Sequence, residues 1–184
     1  MFQLKKITDK KDFKKAKKLY REAFPSGERM PYFMLKHFAN TDKCDFFKMD
    51  DDGFAGLMFV VYYEDIVYIF FLAVVPDARG MGYGTKALNE AKRLFSGKRL
   101  ILNMEEVDGK YDNLEQRIKR EKFYKSNGFE TSDYKTSEKN IVYEMMHYGK
   151  EVSFIEYSRL IQSLFGQTIF NIFYKKIDKK QNTN

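Results

Sequence analysis

The chain carries one cysteine, Cys44, two histidines, His37 and His147, and no tryptophan in 184 residues. A lone thiol cannot close an internal disulfide, so the core must hold the fold and a reducing compartment is expected. One cysteine and two histidines also make a zinc site unexpected, and no metal is assigned. No apolar run reaches the ~18 residues of a membrane-spanning helix. The opening residues, Met1-Phe2-Gln3-Leu4-Lys5-Lys6, lack the apolar stretch and cleavage site of a secretory signal, so the expected location is cytoplasmic.

Aromatic side chains are plentiful: 18 Phe and 13 Tyr supply bulky core material for one domain with a small appendage. The net charge is +7. Its lysines are scattered, with Lys10, Lys11, Lys14, Lys15, Lys17 and Lys18 early and Lys175, Lys176, Lys179 and Lys180 late. Scattered lysines read as solvated faces, so neither a nucleic acid nor a membrane is an expected partner.

Hydrophobic spacing predicts the elements. Residues 1–7 alternate as a strand, and Thr8-Asp9 offers a helix cap before Phe13, Ala16, Tyr20, Ala23 and Phe24 at helical spacing. Pro25-Ser26-Gly27 stops that helix, and Pro31 stands at the first position of a second over residues 32–38. Strands follow over 45–49, 55–63 and 66–75, with Gly53 supplying the positive φ of the first turn. A helix over 85–95, a strand over 100–104 and a helix over 113–127 come next, then strands over 129–134 and 141–147. After Gly149 the pattern changes to an amphipathic helix ending at Gly166 and a second short helix over 169–177. The wholly polar residues 178–184 are expected to fray.

The most informative segment is Pro76-Asp77-Ala78-Arg79-Gly80-Met81-Gly82-Tyr83-Gly84-Thr85, between a buried strand and an amphipathic helix. Glycines at alternate positions allow a tight turn, and a helix N-terminus adds unpaired N–H groups that attract phosphate. The P-loop pattern fails, because three residues separate Gly80 from Gly84 and Thr85 precedes Lys86. The dinucleotide fingerprint finds Gly80 and Gly82 but meets Thr85 at its third glycine, although Glu105 lies near the acidic position.

The pattern Arg/Gln-x-x-Gly-x-Gly/Ala is filled by Arg79, Gly82 and Gly84, and residues 71–84 resemble the strand-and-loop signature of the GNAT N-acetyltransferases. A second match lies downstream, where Phe123-Tyr124-Lys125-Ser126-Asn127-Gly128-Phe129 resembles that family's Phe/Leu-Tyr-x-x-x-Gly-Phe element. The resemblance implies an α/β (α+β) fold, a mixed central sheet of about six to seven strands flanked by helices. It places the acetyltransferase domain over 1–148 and a C-terminal helical appendage over 149–184.

By the same resemblance, the cofactor is acetyl-CoA (coenzyme A). Leu72, Ala73 and Val74 pair with its pantetheine arm, and Arg79, Gly80, Met81, Gly82, Tyr83, Gly84 and Thr85 hold its pyrophosphate. Tyr124 takes the role of general acid toward the leaving thiolate. Where many members have Asn, seven residues before this tyrosine, this chain has Arg117, a weak phosphate candidate. Phe24-Pro25 followed by Glu28-Arg29 resembles a substrate-side loop.

Amine acylation also needs a proton acceptor, and the strand over 100–104 runs into Glu105 and Glu106, which makes Glu105 the first choice as base and Glu106 the second. The expected activity is direct transfer of an acetyl group to a small or peptide primary amine in a ternary complex. A non-catalytic acyl-CoA-binding regulatory module is the alternative. A monomer or homodimer is expected.

Overall fold

The computed structural model describes residues 1–138 and 141–178, which contain eight strands and six α-helices. Backbone contacts divide the chain into two compact units, Met1–Tyr62 with Val67–Gly97, and Tyr63–Ile66 with Lys98–Asn184.

The first unit is built on strands β1 (Gln3–Lys6), β2 (Cys44–Asp50), β3 (Phe54–Tyr63) and β4 (Ile66–Val74), in that spatial order. β1 pairs antiparallel with β2, and β2 with β3. The apolar run of β3 is buried from Ala55 to Val61, as expected of a strand covered on both faces. Helix α1 (Lys10–Ala23) starts at Asp9, whose carboxylate accepts the Asp12 N–H at 2.8 Å. It buries Ala16, Leu19 and Tyr20, and Phe24 leaves it extended, as a residue before proline must. Helix α2 (Tyr32–Phe38) follows, with Pro31 one position earlier than predicted, at the cap itself. Helix α3 (Tyr83–Leu94) closes the unit after a single 3-10 turn, Pro76–Ala78. In the β2–β3 turn Gly53 has the expected positive φ, 158°, and Asp52 before it is left-handed as well, at φ 55°, a region that a short Asp side chain tolerates.

The second unit holds β5 (Arg99–Glu105), β6 (Glu130–Glu138), β7 (Ile141–Tyr148) and β8 (Tyr174–Asp178), ordered β5-β7-β6-β8 with every pair antiparallel. Helix α4 (Leu114–Ser126) joins β5 to β6. Helix α5 (Phe154–Phe165) begins at a capping box in which Ser153 and Glu156 satisfy each other's backbone N–H groups.

The predicted last helix is half right. Helix α6 covers Gln167–Phe173, but Tyr174 onward forms β8, running from Tyr174 opposite Glu138 to Asp178 opposite Tyr134. The exposed backbone edge of β6 offers hydrogen bonds that a short isolated helix cannot match. Tyr174 stacks on Phe170, with ring centroids 5.9 Å apart, which anchors the switch. This strand makes the total eight rather than six to seven. The fraying expected of the polar end falls, from residue 179, outside the described residues.

Candidate functional site

In the first unit, the glycine-rich segment joins β4 to α3. Gly80 and Gly82 have φ of 79° and 78°, values that favour glycine, and Gly82 is the cap of α3. The helix therefore starts at Tyr83, two residues earlier than the spacing predicted. Among the described residues, the amides of Gly80, Gly82, Tyr83 and Gly84 make no hydrogen bond, whereas Met81 N–H donates to the Ala78 carbonyl at 3.4 Å. A Cβ at Gly80 or Gly82 would meet nothing within 4 Å, so there is open space beside both glycines. Unpaired N–H groups beside a helix N-terminus form a site for phosphoryl oxygens, so the residues present fit a pyrophosphate.

The helix start is tethered by side chains. The Tyr83 hydroxyl donates to Asp51 at 3.2 Å, and Lys86 lies 3.6 Å from the same carboxylate and 4.6 Å from the centre of the Tyr83 ring. Arg79, exposed, donates through Nε to the Val74 carbonyl at 3.3 Å, linking the loop to the end of β4. On β4, Ala73 is buried and its neighbours Leu72 and Val74 are half-buried.

The substrate-side candidates lie between α1 and α2. The buried Tyr20 hydroxyl accepts the Met30 N–H at 2.8 Å and donates to the Met30 carbonyl at 3.0 Å. Arg29 donates to the Arg21 carbonyl at 3.3 Å, and Glu28 N–H closes a turn onto the Pro25 carbonyl at 3.1 Å. Phe24 packs edge-on against Phe71 of β4, with centroids 4.9 Å apart, so this loop leaves the helix beside that strand.

In the second unit, Glu105 closes β5 and is buried at 8% exposure. One oxygen meets the Arg117 guanidinium at 3.0 Å and the other accepts from Arg120. Asn113 Nδ2 stands 3.5 Å from Glu105 as well. A base needs an oxygen open to the amine, and both oxygens of Glu105 already face guanidinium donors. Glu106 is similarly engaged, by Lys135 at 2.8 Å and Lys110 at 3.0 Å. Burial pushes the Glu106 carboxyl up, but the two lysine hydrogen bonds outweigh it and hold the group below its usual range.

Arg117 is committed inside this unit. It donates to Asn113 at 2.6 Å and to the Glu106 carbonyl at 2.7 Å, and lies 3.7 Å above the Tyr111 ring. With only 5% exposure, it acts as a structural strut rather than a phosphate contact. Its claim on Asn113 also explains why that residue caps α4 without a side-chain bond.

Tyr124, on the last turns of α4, packs against Phe123 and Phe129. Its hydroxyl makes no hydrogen bond among the described residues, and burial pushes the phenol up, partly offset by the Arg120 charge. It is therefore a proton-bearing phenol at neutral pH.

Sequence reasoning passed over Arg120, Asn113, Lys110 and Lys135. The signal was present in the Arg117–Arg120 spacing, which puts two cations on adjacent turns of one helix ahead of Tyr124. Among the described residues, no cluster of His, Cys, Asp or Glu could hold a metal ion, and no helix is long and apolar enough to cross a membrane.

Residues 42–131 match the family model described as an acetyltransferase (GNAT) domain. No curated protein matches the chain in sequence. Solved structures share its fold. A GNAT-family protein from Bacteroides thetaiotaomicron is similar over 91% of this chain and 99% of its own, with a TM-score of 0.73 at 20% identity. The ribosomal-protein-S18-alanine N-acetyltransferase of Escherichia coli is similar over 84% of this chain and 100% of its own, at TM-score 0.62 and 16% identity. An aminoglycoside 6′-N-acetyltransferase solved with coenzyme A is similar over 83% and 99%, at TM-score 0.62 and 12% identity.

Proposed function

Because the chain carries a GNAT acetyltransferase domain, we propose that it moves an acetyl group from acetyl-CoA to a primary amine by direct attack in a ternary complex. The observation that carries this reading is the row of unpaired amides at Gly80, Gly82, Tyr83 and Gly84, opening at the N-terminus of α3. Those amides hold the pyrophosphate, with Arg79, Met81 and Thr85 in the same loop, and the backbone of Leu72, Ala73 and Val74 pairs with the pantetheine arm. When bound, acetyl-CoA supplies an activated thioester.

Tyr124 holds a proton for the departing sulfur. Its phenol stays protonated at neutral pH, and its hydroxyl has no competing partner among the described residues. With Glu105 and Glu106 both engaged by cations, the amine proton passes to water, and the reactive fraction of acceptor is set by its own ionisation. The rate constant kcat/KM therefore rises with pH until the acceptor amine is neutral. Glu28 and Arg29 stand at the acceptor side. The similar proteins act on amines as different as a ribosomal-protein alanine and an aminoglycoside, so the acceptor depends on such loops rather than on the fold.

Calorimetric titration with acetyl-CoA, with NAD as control, tests the cofactor. Micromolar binding of acetyl-CoA alone is expected, and absence of binding overturns the reading. Thiol release across a panel of primary amines tests the transfer. Binding without release from any amine would make the chain a non-catalytic acyl-CoA module instead.

A further inference from the structure

One carboxylate between two guanidiniums is an uneven pairing. Glu105 at the end of β5 carries a single negative charge and meets both Arg117 and Arg120 of α4. Arg117 is buried and fully engaged, whereas the Arg120 side chain remains 42% exposed and makes its ion pair with Glu105 alone among the described residues. The other charged groups nearby pair among themselves: Glu106 with Lys110 and Lys135, Glu144 with Lys135, and Asp108 with Lys110.

Arg120 precedes Tyr124 by four residues on the same helix. Side chains four apart share a face, and a helical side chain leans over the turn that precedes it, so Tyr124 leans toward Arg120. Phe123 and Phe129 pack against the ring, which is buried. In such surroundings a nearby cation acts strongly.

We propose that Arg120 is a positioning residue for acyl transfer: anchored by Glu105, it holds a positive charge one helical turn ahead of Tyr124 and makes that phenol a better proton donor. The inference rests on the reading of Tyr124 as the general acid. A buried phenol is a reluctant donor, because the anion it leaves is poorly solvated. Arg120 stabilises that anion. The side chain does not touch the reacting atoms. Its tie to Glu105 fixes it from a strand end, where a free surface arginine would sample many positions.

The test uses Arg120→Gln, Arg120→Lys and Tyr124→Phe, each checked for an unchanged melting profile and acetyl-CoA affinity. With tyrosines replaced by a fluorinated analogue, which brings the phenols into an accessible pH range, the Tyr124 fluorine resonance is identified by its loss in Tyr124→Phe. Removing a cation disfavours the phenolate, so in Arg120→Gln this resonance should titrate roughly one unit higher. Arg120→Lys should stay close to the unsubstituted protein. In steady-state assays Arg120→Gln should lower kcat about tenfold, the rate equivalent of one unit, with KM for acetyl-CoA unchanged, and Arg120→Lys should restore most of it. A resonance that does not move in Arg120→Gln, together with normal kcat in that variant and low kcat in Tyr124→Phe, overturns the role of Arg120 and leaves the acid intact. Normal kcat in Tyr124→Phe overturns the acid reading itself.

Discussion

The glycine loop of the first unit and the charged cluster of the second are built by opposite routes. The loop uses backbone: four N–H groups left unpaired by two left-handed glycines and a helix start. Its side chains tether the turn, Tyr83 on Asp51 and Arg79 on the Val74 carbonyl, and Met81 at its tip is 62% exposed. The cluster uses side chains brought in from β5, α4 and β6, and every carboxylate in it is met by a cation. Backbone sites are written locally, because φ and N–H direction depend on the residues of the turn itself. Side-chain sites depend on pairing across the fold and are fragile to loss of either partner. The two should therefore fail differently when broken.

The largest effect is expected from Gly82→Asp. A non-glycine residue at φ 78° is strained by about 1–2 kcal/mol, and the new carboxylate would face the phosphate of the proposed cofactor. Like charges a few ångströms apart at a protein surface cost about 1–4 kcal/mol. The repulsion alone corresponds to about fivefold to 1,000-fold weaker acetyl-CoA binding, read by calorimetry, while the strain falls on the folded protein with or without cofactor. Unchanged affinity would mean that the loop amides hold no phosphate.

Next comes Glu105→Ala, which should strike stability first. It leaves Arg117, only 5% exposed, without its carboxylate, and truncating one partner of a buried ion pair costs about 3–5 kcal/mol. For a chain of this size that is a fall of about 10 °C in Tm, measurable by thermal melts in the absence of ligand. Gly82→Asp, whose backbone strain is about 1–2 kcal/mol, should move Tm by only a few degrees. A melting profile unaffected by Glu105→Ala would erase the contrast between the two regions.

The same contrast explains what could be read from the amino-acid order. The loop and the Phe123-Tyr124 to Gly128-Phe129 element were legible, because each is a contiguous pattern with its own turn chemistry. Most strands and helices were legible from spacing, within two residues at their ends. The strand β8 was not: residues 174–177 keep an apolar rhythm compatible with a helix, and only the distant edge of β6 decides otherwise. The partnership of Glu105 with Arg120 spans 15 residues and a change of element, so Glu105 looked like a free acid at a strand end. The type of each residue was visible in the sequence, but its partner was not.

A third cluster extends the comparison to pH. Arg99 forks onto Asp65 at 2.7 Å through two nitrogens and reaches Glu156 at 2.8 Å. The Arg99 hydrogen bond, helped by the Ser153 backbone and hydroxyl, holds the Glu156 carboxyl down from 4.5 to about 2. A depressed folded value stabilises the protein above the ordinary carboxylate range, and this contribution fades as pH falls from about 4.5 toward 2. Because these groups are partly exposed, solvent screening limits the effect of Glu156→Gln to about 1.5 kcal/mol at neutral pH. Denaturant melts should show the variant and the unsubstituted protein converging near pH 2. A gap that persists at that pH would assign the loss to the α5 cap geometry rather than to charge.

The smallest expected effect concerns the proposed substrate-side loop, where a single side chain does work that the glycine loop does with backbone alone. The Tyr20 hydroxyl holds both polar groups of Met30, accepting from its N–H at 2.8 Å and donating to its carbonyl at 3.0 Å. Tyr20→Phe keeps the ring, its edge-on packing against Phe71 and the buried apolar area, and removes only those two bonds. Met30 is half-buried, so water can replace part of what is lost, and the net cost should be about 1 kcal/mol. Hydrogen exchange at the Met30 amide should speed up about fivefold, the factor that corresponds to that energy. If Glu28 and Arg29 meet the acceptor, KM for the amine should rise while acetyl-CoA affinity stays fixed, because the glycine loop is untouched. Faster exchange with an unchanged amine KM would take this loop out of the acceptor site and leave the acceptor to be read from other segments.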